Sequence, residues 1–228
     1  MKESNLNDAE KRGWTLYKNL IFDFDGTIAN SKKCSFIATK KAFLDYGLDE
    51  PSDNQIEYYM GVPIEKSFDL MSSVKLTSEE RSELITLFRE NYKEIENSYL
   101  EIYDHMLEQL EILYKKAKLF VVSSKKTDVL KRNLKILKIE HLFLEVIGSD
   151  KVKEYKPSPD GVLYILNKYN LNKRETIYIG DAIFDIQMAK NADVSSCAVT
   201  WGSHSEEQLK LEKPDYLIKN INQLEFEG

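Results

Sequence analysis

From about residue 101 to the C-terminus, short apolar runs alternate with segments of helical periodicity, and this alternation limits the possible folds more than any other feature. Each run has the length and the β-branched or aromatic content of a buried strand. Because strands separated by helices join through right-handed crossovers, the pattern predicts a mainly parallel, doubly wound sheet of the Rossmann-like α/β class. The predicted strands are 118–122, 145–147, 176–179, 196–199 and one near 216–218, and the predicted helices are 105–116, 126–138, 159–169 and 182–191.

A further strand is predicted at residues 20–22, where an apolar run ends in the sequence DFDGT at residues 23–27. Ligands of parallel sheets bind beyond the carboxyl ends of the strands, so polar residues at this position are candidates for a site. Strand periodicity would direct the Asp23 and Asp25 side chains to the same side. Two carboxylates so close repel unless a divalent cation or a shared proton offsets their charge. Gly26 permits the turn that follows. Helix capping by the two aspartates is the simpler alternative.

The strands that come next along the chain also end in polar residues. Ser123 and Ser124 follow the second strand and offer hydroxyl and amide donors suited to phosphate oxygens. Lys156 follows the third strand, in a segment stiffened by prolines. Asp181 and Asp185 follow the fourth strand and offer the oxygen ligands that Mg²⁺ prefers. Each residue alone has an ordinary explanation as a helix cap or a solvated charge, but their joint arrangement predicts one site for an anion and a metal.

Composition excludes several classes of partner. The 228 residues include 32 basic and 38 acidic ones, for a net charge of −6, and no basic block is long enough to follow a nucleic-acid backbone. Cys34 and Cys197 match neither a metal-binding pair nor a disulfide framework, which favours a reducing compartment. Because no apolar segment has the length of a signal peptide or a membrane span, we expect a cytoplasmic protein without a membrane partner. Residues 1–15 fit either a short helix or a loose extension.

Together these motifs resemble those of the haloacid dehalogenase (HAD)-like superfamily of phosphotransferases. The matching segments are residues 23–27, Ser123, Lys156 and residues 180–185, and the resemblance extends from about residue 19 to the C-terminus. Residues 31–100 are almost wholly helical in their periodicity and look like the helical cap of the phosphoglycolate phosphatase and β-phosphoglucomutase branch. The resemblance therefore implies a Rossmann-like catalytic core of residues 1–30 and 101–228 and an inserted all-helical cap domain of residues 31–100.

The resemblance also implies a role for each residue of the motifs. Asp23 is expected to be the nucleophile, and Asp25 the general acid and base. Mg²⁺ is expected to be bound by Asp23, by the backbone carbonyl of Asp25 and by Asp181, with Asp185 as a ligand or a support. Lys156 and Ser123 complete the catalytic set.

The remaining predicted site residues would contact phosphate or substrate. Ser123 and Lys156 are expected to bind the transferring phosphoryl group, together with Ser124, Gly26 and Thr27. A cap loop that contains Tyr59 and Gly61 is expected to face the substrate, although a helix end with core aromatic residues is an equal alternative. Asp193 stands where a glycine is common, so its backbone is expected to tolerate a positive φ.

The implied activity is a magnesium-dependent phosphatase of a small phosphorylated metabolite, such as phosphoglycolate, a sugar phosphate or a nucleotide. Asp25 favours phosphate esters over haloacids, because a halide leaves without a proton. The alternatives are a sugar phosphomutase, a phospho-aspartate switch without turnover, and a Ser123–Lys125 nucleophilic dyad. Both a monomer and a homodimer are compatible with the sequence.

Overall fold

The computed structural model describes residues 17–60 and 62–224. Within them, the predicted doubly wound α/β fold is confirmed by a parallel sheet of six strands. The strands of the described residues are β1 (Asn19–Phe22), β2 (Ala29–Asn30), β3 (Glu101–Ile102), β4 (Lys118–Val122), β5 (Glu145–Ile147), β6 (Thr176–Gly180), β7 (Ser195–Val199) and β8 (Tyr216–Ile218). In the parallel sheet they follow the order β5-β4-β1-β6-β7-β8.

Strand β1 lies at the centre of the sheet because its residues are apolar on both faces. Leu20 and Phe22 pack into the cluster on one face, whereas Ile21 packs into the cluster on the other. The strand pairs with β4 on one side and with β6 on the other, so the strand order reverses here. Such a reversal opens a crevice at the carboxyl ends of the strands. The residue that follows β1 therefore enters this crevice.

The helices lie close to their predicted positions. Within the described residues they are α1 (Lys32–Asp45), α2 (Asp53–Tyr58), α3 (Ile64–Met71), α4 (Ser78–Tyr99), α5 (Met106–Tyr114), α6 (Thr127–Ile136), α7 (Asp160–Tyr169), α8 (Ile183–Asn191) and α9 (Glu206–Leu211). The ends differ from the prediction by a few residues, where the last turns give way to loops. Asp193 has a φ of 60°, as its position suggested. None of the described helices combines the length and apolar character needed to cross a bilayer.

Residues 31–100, called the insert below, contain α1 to α4 and have an apolar cluster of their own. Phe43, Phe68 and Leu84 are buried in this cluster. The long helix α4 begins in a capping box, in which the Glu80 amide donates to Thr77 Oγ1 and the Thr77 amide donates to the Glu80 carboxylate. The chain enters and leaves the insert through the short antiparallel pair β2 and β3, which the sequence analysis missed. The division into core and cap domains stays a prediction.

Candidate active site

The turn after β1 directs Asp23 and Asp25 toward different partners. Asp23 is buried, and its amide extends the sheet by donating to Ile179 O at 2.9 Å. Because β1 ends at Phe22, the expected strand periodicity does not extend to the two aspartates. Gly26 turns the chain with a φ of 77°, and a Cβ on it would lie 2.3 Å from Asp181 Oδ2. A glycine is therefore required here by both the backbone conformation and the close approach.

Asp23, Asp181 and Asp185 form a buried carboxylate cluster at the ends of β1 and β6. One oxygen from each lies within 4.8 Å of the others. Burial raises the pKa of the Asp181 carboxyl to about 6, and the charge of Asp185 adds to the rise. Burial also raises the pKa of Asp23 well above its usual range, more than Lys156 lowers it. The protein thus confines negative charge that a cation is needed to offset.

Lys156 supplies part of that positive charge. Its side chain is 5% exposed, and its ammonium lies 2.8 Å from Asp23 Oδ1 and 2.7 Å from Asp185 Oδ1. Burial opposes its charge, but Asp185 and Asp23 outweigh burial and hold the pKa of Lys156 well above its usual value. Lys156 is therefore a permanent cation at neutral pH. One ammonium faces three carboxyl groups, so a further cation would be needed to stabilise all three in the ionised form. We call Asp23, Lys156, Asp181 and Asp185 the charged cluster.

Hydrogen bonds fix the other two carboxylates of the charged cluster. Thr27 Oγ1 donates to Asp181 Oδ1 at 2.8 Å. The amide and hydroxyl of Ser203 donate to Asp181 Oδ2 at 2.8 and 2.7 Å. The Ala182 amide donates to Asp185 Oδ2 at 3.0 Å. The sequence analysis missed Ser203, although its position just after β7 follows the same rule as the residues after the other strands.

The charged cluster fits a magnesium ion. Its ligand set consists of carboxylate oxygens, which this hard cation prefers. Asp23 Oδ1 is buried and lies beside the Lys156 ammonium, yet no donor among the described residues is aligned to form a hydrogen bond to it. Asp23, Asp181 and Asp185 are the side chains that would hold the ion. The predicted contribution of the Asp25 carbonyl stays a prediction, and the carboxylate of Asp25 has partners of its own.

Asp25 lies in a separate hydrogen-bonded chain that reaches the insert. Its Oδ1 accepts a hydrogen bond from Ser31 Oγ and lies 2.8 Å from the Lys125 ammonium. The same ammonium donates to the Tyr92 hydroxyl of α4 at 3.1 Å. Although burial opposes the charge, Asp25 and Tyr92 raise the pKa of Lys125 above its usual value. Lys125 thus remains protonated and positions Asp25.

This placement gives no support to a Ser123–Lys125 dyad. The ammonium of Lys125 contacts Asp25 and Tyr92, whereas only its backbone amide reaches Ser123 Oγ, at 3.2 Å. A nucleophilic serine needs a neutral base at its hydroxyl. Ser123 is instead buried at the end of β4 and lines a small pocket together with Ser124 and Lys156. These three predicted phosphate-binding residues therefore line the same small pocket.

The other predicted site residues have mixed outcomes. The Thr27 hydroxyl is engaged with Asp181, and Gly26 lies against the same carboxylate, so their predicted contact with phosphate stays a prediction. Tyr59 lines a larger pocket that also contains Asp25. Gly61 lies outside the described residues.

Comparisons with known proteins agree with the geometry of the site. A family model described as haloacid dehalogenase-like hydrolase matches residues 20–199. A pyrophosphatase of Listeria innocua is 32% identical over 210 residues, which cover 90% of this chain and 93% of the relative. A phosphoglycolate phosphatase of Aquifex aeolicus is 30% identical over 206 residues, with 90% and 93% covered.

Solved structures give the same result. A haloacid dehalogenase-like hydrolase of Streptococcus pneumoniae superposes with a TM-score of 0.82 at 26% identity, covering 92% of this chain and 97% of that one. A predicted phosphoglycolate phosphatase of Haemophilus somnus superposes with a TM-score of 0.82 at 26% identity, covering 90% and 95%. The similarity thus includes the insert as well as the sheet.

Proposed function

The chain belongs to the haloacid dehalogenase-like hydrolases, and from this premise we propose that it is a magnesium-dependent phosphatase that hydrolyses a small phosphate monoester through an aspartyl-phosphate intermediate. The observation that carries the proposal is the charged cluster, in which a buried carboxylate nucleophile lies 2.8 Å from a lysine ammonium. Phosphoryl transfer depends mainly on positioning and on stabilising charge, and this cluster provides both. Bound Mg²⁺ would neutralise the carboxylates and the phosphate oxygens so that the anions can approach each other.

In the first step, a carboxylate oxygen of Asp23 attacks the phosphorus. The Asp23 oxygen–phosphorus bond forms while the bond from phosphorus to the ester oxygen breaks. Asp25 donates a proton to the departing oxygen, so that an alcohol leaves rather than an alkoxide. Lys156 and Ser123 stabilise the negative charge of the transferring phosphoryl oxygens.

In the second step, water attacks the phosphorus of the aspartyl-phosphate. Asp25, now a carboxylate, accepts the proton of that water, and free phosphate leaves as Asp23 is restored. Ser31 and Lys125 hold Asp25 in one orientation for both proton transfers. Dividing the displacement into two steps at one residue lowers the barrier of each.

The names of the relatives support phosphatase chemistry but differ in substrate. The Listeria innocua protein is named for pyrophosphate and the Aquifex aeolicus protein for phosphoglycolate. A phosphomutase would return the phosphoryl group to a sugar, so release of free phosphate separates that alternative from hydrolysis. A small phosphorylated metabolite as substrate, a cytoplasmic location, and a monomeric or homodimeric state stay predictions.

Release of inorganic phosphate from a panel of phosphate monoesters, with Mg²⁺ and with chelator, tests the proposal. We expect turnover that requires Mg²⁺ and that falls by at least about 10⁴-fold in Asp23→Asn, because the amide cannot act as the nucleophile. Asp193→Asn makes the same change at a side chain that is 88% exposed and should leave turnover unchanged. Turnover that survives chelation or the Asp23→Asn change would contradict the proposal.

A further inference from the structure

A pocket of about 880 Å³, counted with the open space at its mouth, lies between the core and helices α1 to α4 of the insert. Asp25, Ser124 and Lys125 form its core side. Asp25 is the residue that, in the proposed function, protonates the departing oxygen. The pocket therefore receives the part of the substrate that leaves, and we call it the leaving-group pocket. Its lining indicates the chemical class of that leaving group, an inference that rests on the proposed function.

The insert contributes an apolar wall to the leaving-group pocket. Several of its apolar residues are only half-buried, so part of their surface faces the pocket. They are Tyr59, Met60, Val62, Ile64 and Phe88. Covering such surface with an apolar group stabilises a complex in proportion to the area removed from water. Polar residues such as Ser35, Thr39 and Ser67 also line the pocket, but the wall formed by these five side chains is apolar, and an apolar wall beside a limited set of polar groups is typical of a site that binds an organic ligand.

The cations around the leaving-group pocket are mostly engaged by the protein itself. Lys125 lies 2.8 Å from Asp25, and Arg89 lies 3.0 Å from Glu65. Arg132 donates to the buried Glu96 at 3.1 Å. Glu65 and Glu96 cancel much of the field of Arg89 and Arg132, so these two cations attract an anion less strongly. The Lys125 ammonium is directed at Asp25 and the Tyr92 hydroxyl.

The fourth cation at the leaving-group pocket is Lys126, which is exposed at its edge. A solvated lysine at an edge contributes little to binding, because water and salt screen its charge. The leaving-group pocket thus offers apolar surface but little free positive charge. An anionic leaving group would have to be desolvated there without a partner, which is costly.

We propose that the natural substrate is a phosphate monoester whose alcohol carries an uncharged apolar group, aromatic or branched aliphatic. The leaving group of pyrophosphate is a phosphate, and that of phosphoglycolate carries a carboxylate. Both are small anions that would leave the apolar wall of the leaving-group pocket uncovered. The substrate class therefore differs from those for which the Listeria innocua and Aquifex aeolicus relatives are named.

The test compares 2-phenylethyl phosphate with ethyl phosphate, pyrophosphate and 2-phosphoglycolate in the presence of Mg²⁺. The first two esters release alcohols of similar acidity, so a difference in kcat/KM reports contacts of the phenyl ring. We expect kcat/KM for 2-phenylethyl phosphate to exceed that of each of the other three by at least about tenfold, as for other apolar groups that fill a pocket.

Two variants on α3 test whether the gain in kcat/KM for 2-phenylethyl phosphate comes from the apolar wall. Ile64→Ala removes part of the apolar wall and should lower kcat/KM for 2-phenylethyl phosphate by about tenfold, while ethyl phosphate is unaffected. Leu70→Ala makes a similar change on the same helix at a side chain that is 57% exposed and outside the pocket, and should alter neither substrate. Phe88→Leu repeats the test on α4 if Ile64→Ala folds poorly.

The outcomes separate this inference from the proposed function. If pyrophosphate or 2-phosphoglycolate is hydrolysed best, or if the phenyl group brings no gain, the apolar substrate class is wrong and phosphatase activity stands. An equal loss for both esters in Ile64→Ala and Phe88→Leu would also overturn the inference, because the apolar wall would not be contacting the phenyl group. If none of the four compounds is hydrolysed, the proposed function fails and this inference fails with it.

Discussion

The charged cluster and the leaving-group pocket are neighbouring regions that differ in the polarity of their side chains and in the segments that supply them. In the charged cluster, buried carboxylates are held by donors from several strand ends, such as Thr27 and Ser203. In the leaving-group pocket, half-buried apolar side chains come from one inserted segment, and Arg89 and Arg132 are paired with carboxylates of the protein. In the proposed function, the residues at the strand ends carry out the reaction, and the insert selects the group to which the phosphate is attached.

Helix α4 joins the insert to the core through two contacts beside the leaving-group pocket. Tyr92 and Glu96 are four residues apart, so they lie on the same face of the helix. The Tyr92 hydroxyl accepts a hydrogen bond from Lys125, which pairs with Asp25. Glu96 is buried and pairs with Arg132 of α6. The first contact reaches Asp25, the proposed general acid and base, and the second joins the insert to α6, so the two should have different consequences when removed.

The largest effect is expected in the charged cluster. Lys156→Met removes the ammonium that contacts Asp23 and Asp185, so kcat/KM should fall by about a thousandfold. Lys153→Met removes an exposed ammonium from the same loop and should have no effect. Circular dichroism of both variants checks that they are folded. A folded Lys156→Met protein that retains activity within tenfold of the parent would show that the reaction does not depend on the charged cluster.

A smaller effect, on stability rather than on chemistry, is expected at the second contact of α4. Glu96→Gln removes the charge that pairs with Arg132 and places an amide against the Asn133 side chain. The free energy of unfolding should fall by about 2 kcal/mol, with kcat of the folded protein unchanged. Urea denaturation measures the loss, and Glu94→Gln on the exposed side of α4 is the control. An unchanged midpoint would show that this pair does not hold the insert.

The smallest effect is expected at the first contact of α4, the hydrogen bond between Lys125 and Tyr92, and it tests whether this contact positions Asp25. Tyr92→Phe removes only the hydroxyl that Lys125 donates to, at a cost of about 1 kcal/mol. If Lys125 positions Asp25, kcat should fall about fivefold while KM stays the same. Tyr99→Phe on the same helix is the matched control. A loss of stability with no change in kcat would limit Tyr92 to a structural role.

The sequence predicted the charged cluster because parallel strands bring their carboxyl ends to one edge. Asp23, Lys156 and Asp181 follow different strands, and the sheet topology brings the ends of these strands to one edge. The positive φ of Asp193 was also foreseeable, because a glycine is common at this position in the family that the sequence resembles. These features depend on local patterns and on the order of the strands.

The features that the sequence analysis did not predict depend on packing between distant segments of the chain. Trp201 Nε1 donates to Thr27 O at 3.0 Å across 174 residues, and this contact lies beside the donors of Ser203. No local sequence pattern indicates a contact between residues so far apart in the chain. The direction of Lys125 toward Asp25 likewise depends on Tyr92, which belongs to the insert. The apolar residues of the leaving-group pocket have the same sequence pattern as core residues, so only their partial exposure distinguishes them.

Trapping the covalent intermediate tests the central claim most directly. The Asp25→Asn variant is mixed with Mg²⁺ and p-nitrophenyl phosphate, whose nitrophenolate leaves without a proton, so the first step proceeds while the second lacks its base. After an acid quench, mass spectrometry of the peptides locates the phosphate. The proposed mechanism predicts a burst of nitrophenolate and phosphate on Asp23. Phosphate on Ser123, or no phosphorylated peptide in a sample that released nitrophenolate, would contradict it.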